Sequence, residues 1–264
     1  MTWLPIHPTH AIERTRIVIQ FSQPIPQKMV SRLGEQFDGP RHDFGFGARI
    51  ETQMQSVTMN PAGVEPVFSQ RASGWQFVRE QAPGVILEAM ILEPQGFVYE
   101  TAEYVRWALF WDRLSRMTTE ILEQLQKDVG VRSVALEYFD RFYFDGGITD
   151  AVPSALVRPE LISALPESAY SGRELWHAHR GWFEGEGAQR YLVNQNVDAQ
   201  QAKTAEDRDV RSVLIYTKVE RAADDIEIDL SQLGETLDAM HDVSKRVIQD
   251  ALIEEMQLRV GLDQ

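Results

Sequence analysis

The 264-residue sequence contains no cysteine. That absence excludes disulfides, iron–sulfur clusters, cysteine nucleophiles and thiolate-bound zinc together. No window approaches the roughly 18 consecutive apolar residues of a membrane-spanning helix. The opening stretch MTWLPIHPTHAIERTR has neither the basic head nor the apolar centre of a secretion signal, so a cytoplasmic location is expected. Catalytic signatures are missing too: there is no G-x-S-x-G, no Walker sequence and no H-E-x-x-H. HDFGFG looks like a kinase DFG element only in its letters, because no glycine-rich loop and no H-R-D accompany it. Gly185-Glu186-Gly187 reads as a hairpin turn, not a phosphate cradle, since no helix follows. These absences weigh against an enzyme without abolishing one.

Positive charge is also scarce. Lys and Arg number 26 against 40 Asp and Glu, for a net charge of -14. Such a chain repels phosphate backbones, which disfavours nucleic acid, and its acidity suits a basic protein partner.

What is present is core-forming. With 43% hydrophobic residues, the chain can bury a real core as one large or two small domains. It is organised around the stretch 101–144. Tyr104, Trp107, Trp111, Leu114, Ile121 and Leu125 recur at helical spacing, with charged residues on the other side. The spacing predicts one amphipathic helix of about six turns, with Gly130 as its left-handed stop. The β-branched and aromatic run Val131–Phe144 then predicts a long central strand with Glu137, Asp140 and Arg141 set into it.

Before this stretch, residues 1–14 read as an extended arm with exposed apolar surface at Trp3. A strand is expected over Arg16–Phe21 and a helix from Pro26 through Phe37. Ala48–Met59 is a polar, extended segment, and NPAGVEP is a loop. Strands near 74–80, 85–93 and 96–100 follow, separated by Pro-Gly turns. After the central strand come a short helix at 159–165 and strands near 175–184, 188–197 and 210–220. Residues 197–209 read as a polar loop. A second long helix, capped by Asp229 or Ser231, runs to Leu258. The expected fold is α+β, in two similar halves, 15–130 and 131–264, packed as one unit. Each half runs strand, helix, three strands, long helix, with an antiparallel sheet backed by its long helix.

The helix with Tyr104 and Trp107 near its start, the strand carrying Leu136, Tyr138 and Arg141, and the final helix with Leu237, His241 and Asp242 resemble a sporadically distributed bacterial family of conserved hypothetical proteins. This chain departs from that family's pattern at Glu137, Asp140 and Ile248. The resemblance spans nearly the whole chain and implies a fold but no established activity. The family's patchy distribution is similar to that of mobile and defence genes.

Candidate binding residues are Glu137, Tyr138, Asp140 and Arg141 on the central strand. Trp107 and Trp111 are candidate apolar walls of a pocket with Tyr138 and Phe142. Glu137 and Arg141 share a sheet face, which suits either ion pairs to neighbouring strands or the wall of a site. His177 and His179 alternate along a strand as paired imidazole ligands would, with Glu174, Glu184 or Glu186 as a third ligand. His241 and Asp242 are adjacent on a helix and so do not face one another. The leading expectation is a non-enzymatic protein-binding module, antitoxin- or immunity-like or an accessory factor of a defence or mobile locus, with no cofactor. A metal-dependent or hydrolytic enzyme and a small-molecule binder are the alternatives. Trp182 and Phe183 add exposed apolar surface suited to a homodimer.

Overall fold

A computed structural model describes residues 2–58, 67–163, 165–166, 175–203, 207–222 and 228–262. The NPAGVEP loop, Glu174 and residues 204–206 lie outside them. The chain is α+β. Its strands are β1 (Trp3–Pro5), β2 (Ile12–Phe21), β3 (Ala48–Thr58), β4 (Val67–Ala82), β5 (Val85–Glu93), β6 (Gly96–Thr101), β7 (Val131–Phe144), β8 (Trp176–Glu184), β9 (Tyr191–Lys203) and β10 (Asp209–Ala222). Its helices are α1 (Gln27–Asp38), α2 (Trp107–Asp128), α3 (Pro159–Ile162), α4 (Leu233–Ala251) and α5 (Glu254–Arg259). No helix is long and apolar enough to cross a membrane.

All ten strands form one antiparallel sheet in the order β3-β4-β5-β6-β2-β7-β10-β9-β8, with β1 pairing the far end of β7. The expectation of a separate sheet for each half is therefore corrected. β2 and β7, the opening strands of the two halves, pair directly, setting Ile17 against Leu136 and Ile19 against Val134. Their apolar alternation would otherwise leave two unpaired, aggregation-prone edges.

Period-two alternation sorts β7 onto two faces. Val134, Leu136, Tyr138, Phe142 and Phe144 point into apolar clusters, while Glu137, Phe139, Arg141 and Tyr143 occupy the opposite face. Helices supply the other half of the core. Val30, Leu33 and Phe37 of α1, Leu114, Ile121 and Leu125 of α2, and Leu237, Met240 and Val247 of α4 pack against the sheet. A second cluster gathers Trp3, Phe142, Leu156, Ile162 and Met256 at the end of β7. Among the described residues every helix packs on this one face, and the other face of the sheet is uncovered.

Several local expectations change. The N-terminal arm is part of the sheet: Trp3 is 1% exposed, lies edge-on to Phe144 and donates its indole N–H to Val152 O at 3.0 Å. α2 ends at Val129 in an extended conformation, not at a left-handed Gly130, because the chain passes straight into β7. β9 runs on to Lys203, through residues expected to be loop, since its pairing with β10 continues to Asp209. The last helix is broken. An extended Leu252 bridges Val157, and the chain restarts helically at Glu254. Asp229 does cap, but it caps the short turn before α4, accepting the Ser231 N–H at 2.8 Å. Gly34 is a packing requirement: a Cβ there would sit 2.1 Å from Trp75 Cδ1.

Candidate functional site

The central strand divides its candidate residues between two environments. On the uncovered face, the register aligns Glu100, Arg16, Glu137 and Lys218 across β6, β2, β7 and β10. The signs alternate, which is the stabilising cross-strand order. Arg16 lies 4.0 Å from Glu100 and 3.5 Å from Glu137, and Lys218 lies 2.7 Å from Glu220. Glu137 is buried beneath these neighbours, and burial raises its pKa against the opposing pull of Arg16 and Lys218. Arg141 pairs with Glu13 at 2.8 Å and reaches Ser212 at 3.1 Å. Glu137 and Arg141 thus each pair with a neighbouring strand.

One step along the same face, a single row crosses nine strands: Ile50, Gln76, Ile91, Val98, Val18, Ala135, Glu220, Leu192, Phe183. Ile50 is 48% exposed and Phe183 61%, at its two ends. Beyond the charge ladder Phe139 and Tyr216 pair with tilted rings, their centroids 4.9 Å apart.

Tyr138 and Asp140 point the other way, toward α2 and α4. The Tyr138 hydroxyl lies 2.9 Å from His241 Nδ1, and the His241 ring stacks on Trp107 at 4.6 Å, nearly parallel. Trp107 in turn donates its indole N–H to Asp238 at 2.6 Å. Tyr104 meets Tyr138 edge-on at 5.8 Å, and His10 meets Tyr104 at 6.0 Å. Burial lowers the His241 pKa, so the ring is held neutral, and burial pushes the Tyr104 phenol up to about 12. Asp140 is 6% exposed, and desolvation pushes its carboxyl up to about 7.

This is a set of groups able to hold or move a proton, but it is packed shut. His241 fills the space between Trp107 and Tyr138, and Phe142 belongs to the second core cluster. Trp107 and Tyr138 thus meet across His241, while Phe142 lies in a different core cluster from them. Trp111 lies against Gly234, where a Cβ would approach its ring to 3.1 Å. Among the described residues, two clefts, of about 310 and 330 Å³, have none of Asp140, Tyr138 or His241 in their lining.

His177 and His179 do share a face of β8, the uncovered one. His177 Nδ1 is 2.5 Å from Asp198, and His179 contacts Asn196. Glu184 points to the opposite face, where it accepts from Arg246 at 2.6 Å. Among the described residues no three His, Asp or Glu side chains converge on a point.

Sequence reasoning missed a buried charge cluster at the other end of the sheet. Glu88 on β5 is completely buried and accepts from Arg113 at 2.7 and 2.6 Å, from Arg79 at 2.8 Å and from the Tyr99 hydroxyl at 2.5 Å. Burial alone would raise its pKa, yet the hydrogen bonds from Arg113, Tyr99 and Arg79 outweigh it and hold Glu88 ionised. The signal was one acid in VILEAMILE at the parity of Met90 and Leu92, the two core residues of that strand.

Compared with protein-family models and with curated proteins, the chain matches none.

Proposed function

We propose that this chain is a non-catalytic binding protein that takes a basic protein partner on the uncovered face of its sheet. The observation that carries the proposal is the row of side chains crossing nine strands with no helix over it. Strands stand about 4.8 Å apart and rise about 3.4 Å per residue. A field nine strands wide and five residues long therefore covers roughly 730 Å², close to the ~800 Å² per partner of a standard interface. Its make-up also suits recognition: exposed apolar ends at Ile50 and Phe183, aromatic Phe139 and Tyr216, and a self-paired charge ladder at the centre. Interfaces between separate proteins combine apolar and aromatic contacts with polar groups in this way. The net charge of -14 supplies long-range attraction for a basic partner and faster encounter.

The resemblance to a patchily distributed bacterial family supports placing this binding role among antitoxin- or immunity-like neutralisers or accessory factors of defence and mobile loci, acting in the cytoplasm. The strand order supports an internal duplication. Outward from the β2–β7 pair, each half presents its last strand, then the one before it. A homodimer through β8, an edge strand with exposed Phe183, is part of the same proposal. Affinity capture from the native host in mild salt, followed by native mass spectrometry, tests it. The expected product is a stoichiometric complex with a basic protein that is lost in a Val18→Lys, Ile91→Lys variant. A bare chain, or a complex indifferent to those changes, overturns it.

A further inference from the structure

The Glu88 cluster floors a cleft of about 310 Å³ on the helix side of the sheet, lined by Arg79, Arg113, Phe44, Phe110, Val105 and Leu109. Two features of this cleft are not needed to hold the fold together. Arg79 spends Nε on Glu88 and Nη2 on Glu103, while Arg113 spends Nε and Nη2 on Glu88 and on Phe44 O. Among the described residues, Nη1 of each arginine has no partner, and both side chains retain exposure, 23% and 32%. Above them Val105 and Leu109, in the turn leading into α2 and on its first turn, are 61% and 59% exposed. Two arginines and an exposed apolar pair in the lining of one cleft make an amphipathic receptacle.

Four charges balance at this floor: the buried Glu88 is shared by two guanidinium groups, and Glu103, at the rim and half exposed, supplies the second negative charge through its bond to Arg79, so a surplus positive charge appears where Glu103 is displaced. Both arginines stay ionised. For Arg79, burial opposes the charge but bonds to Glu103 and Glu88 outweigh it; for Arg113, the bond to Glu88 leads. An incoming anion can meet the two free amino groups and take over from Glu103. Guanidinium groups favour planar oxyanions, and the volume lies at the lower end of the roughly 300–1,000 Å³ usual for ligand pockets.

We infer that this cleft binds a small carboxylate with a short alkyl or aryl tail, its carboxyl on Arg79 and Arg113 and its tail against Val105 and Leu109. The site faces away from the uncovered side of the sheet and does not depend on the protein-partner reading. Calorimetric titration of the full chain with octanoate, and with octanol as the uncharged control, tests it. Octanoate is expected to bind with a Kd below about 1 mM, and octanol not to bind. Glu103→Gln removes the competing carboxylate at an exposed position and is expected to tighten octanoate about threefold. Leu109→Ser, also exposed, is expected to weaken it about tenfold through lost apolar contact. Absence of octanoate binding, equal binding of octanol, or unchanged affinity in both variants overturns the inference.

Discussion

Replacing Asp140 with asparagine isolates the cost of one buried carboxylate. Desolvation raises the Asp140 pKa from 3.8 to about 7, with no opposing charge contributing. The sign follows from which state holds the proton. Between these two values the folded chain keeps it and the unfolded chain loses it, so stability is full below pH 3.8 and falls as pH rises to about 7. At ~1.4 kcal/mol per pH unit the gap amounts to about 4 kcal/mol, of which about 3 is lost between pH 5 and pH 8. Asparagine does not titrate. Urea denaturation of both proteins across that range should show the variant gaining about 3 kcal/mol relative to wild type by pH 8. His241, whose pKa is lowered by burial, titrates in both proteins and drops out of the difference. The amide adds a constant offset, so the slope is the signal. A difference that stays flat with pH would refute the reasoning.

Three further perturbations follow from the packing. Glu88→Gln should cost about 2–4 kcal/mol at neutral pH, because two arginines lose their shared counter-charge while keeping some hydration. Since the Glu88 pKa is lowered, that contribution is present above pH 4.5 and fades as pH falls, so acid titration of stability should be shallower in the variant. Gly34→Ala should destabilise by about 1–3 kcal/mol, measured as a lower urea midpoint, because Trp75 must move from a position 2.1 Å from the new Cβ. Trp3→Ala should cost about 3–5 kcal/mol and release β1 from β7, seen as faster amide exchange at Ile6, whose N–H is bonded to Arg141 O.

Elements built on a long apolar run or a full helical stripe were legible in the sequence. β5 and β7 match their expected bounds, because unbroken apolar or β-branched runs end at Pro-Gly, Gly-Gly or Gly-containing turns. Strands with few apolar residues were read short. In β9 the sequence VDAQQAK looks like loop, although Val197 and Ala199 face the core while Asp198 and Gln200 face out. In β3 and β4, ARIETQMQ and its partner carry too few apolar residues for strand periodicity to stand out. The candidate site was legible residue by residue but not in its grouping. Glu137 and Arg141 sit on one face by parity, and Tyr138 and Asp140 on the other. What closes on Tyr138 is His241, 103 positions away, and only the packing of α4 beside α2 brings them together.

The central claim is that a basic partner covers the side of the sheet that the helices leave free. Hydroxyl-radical footprinting of the captured complex against the free chain tests this most directly. Loss of reactivity at Ile50, Phe139, Tyr216 and Phe183, with Trp107, Trp111 and Leu109 unchanged, is the predicted result. Protection confined to the helical residues, with the sheet face as reactive as before, would contradict the account.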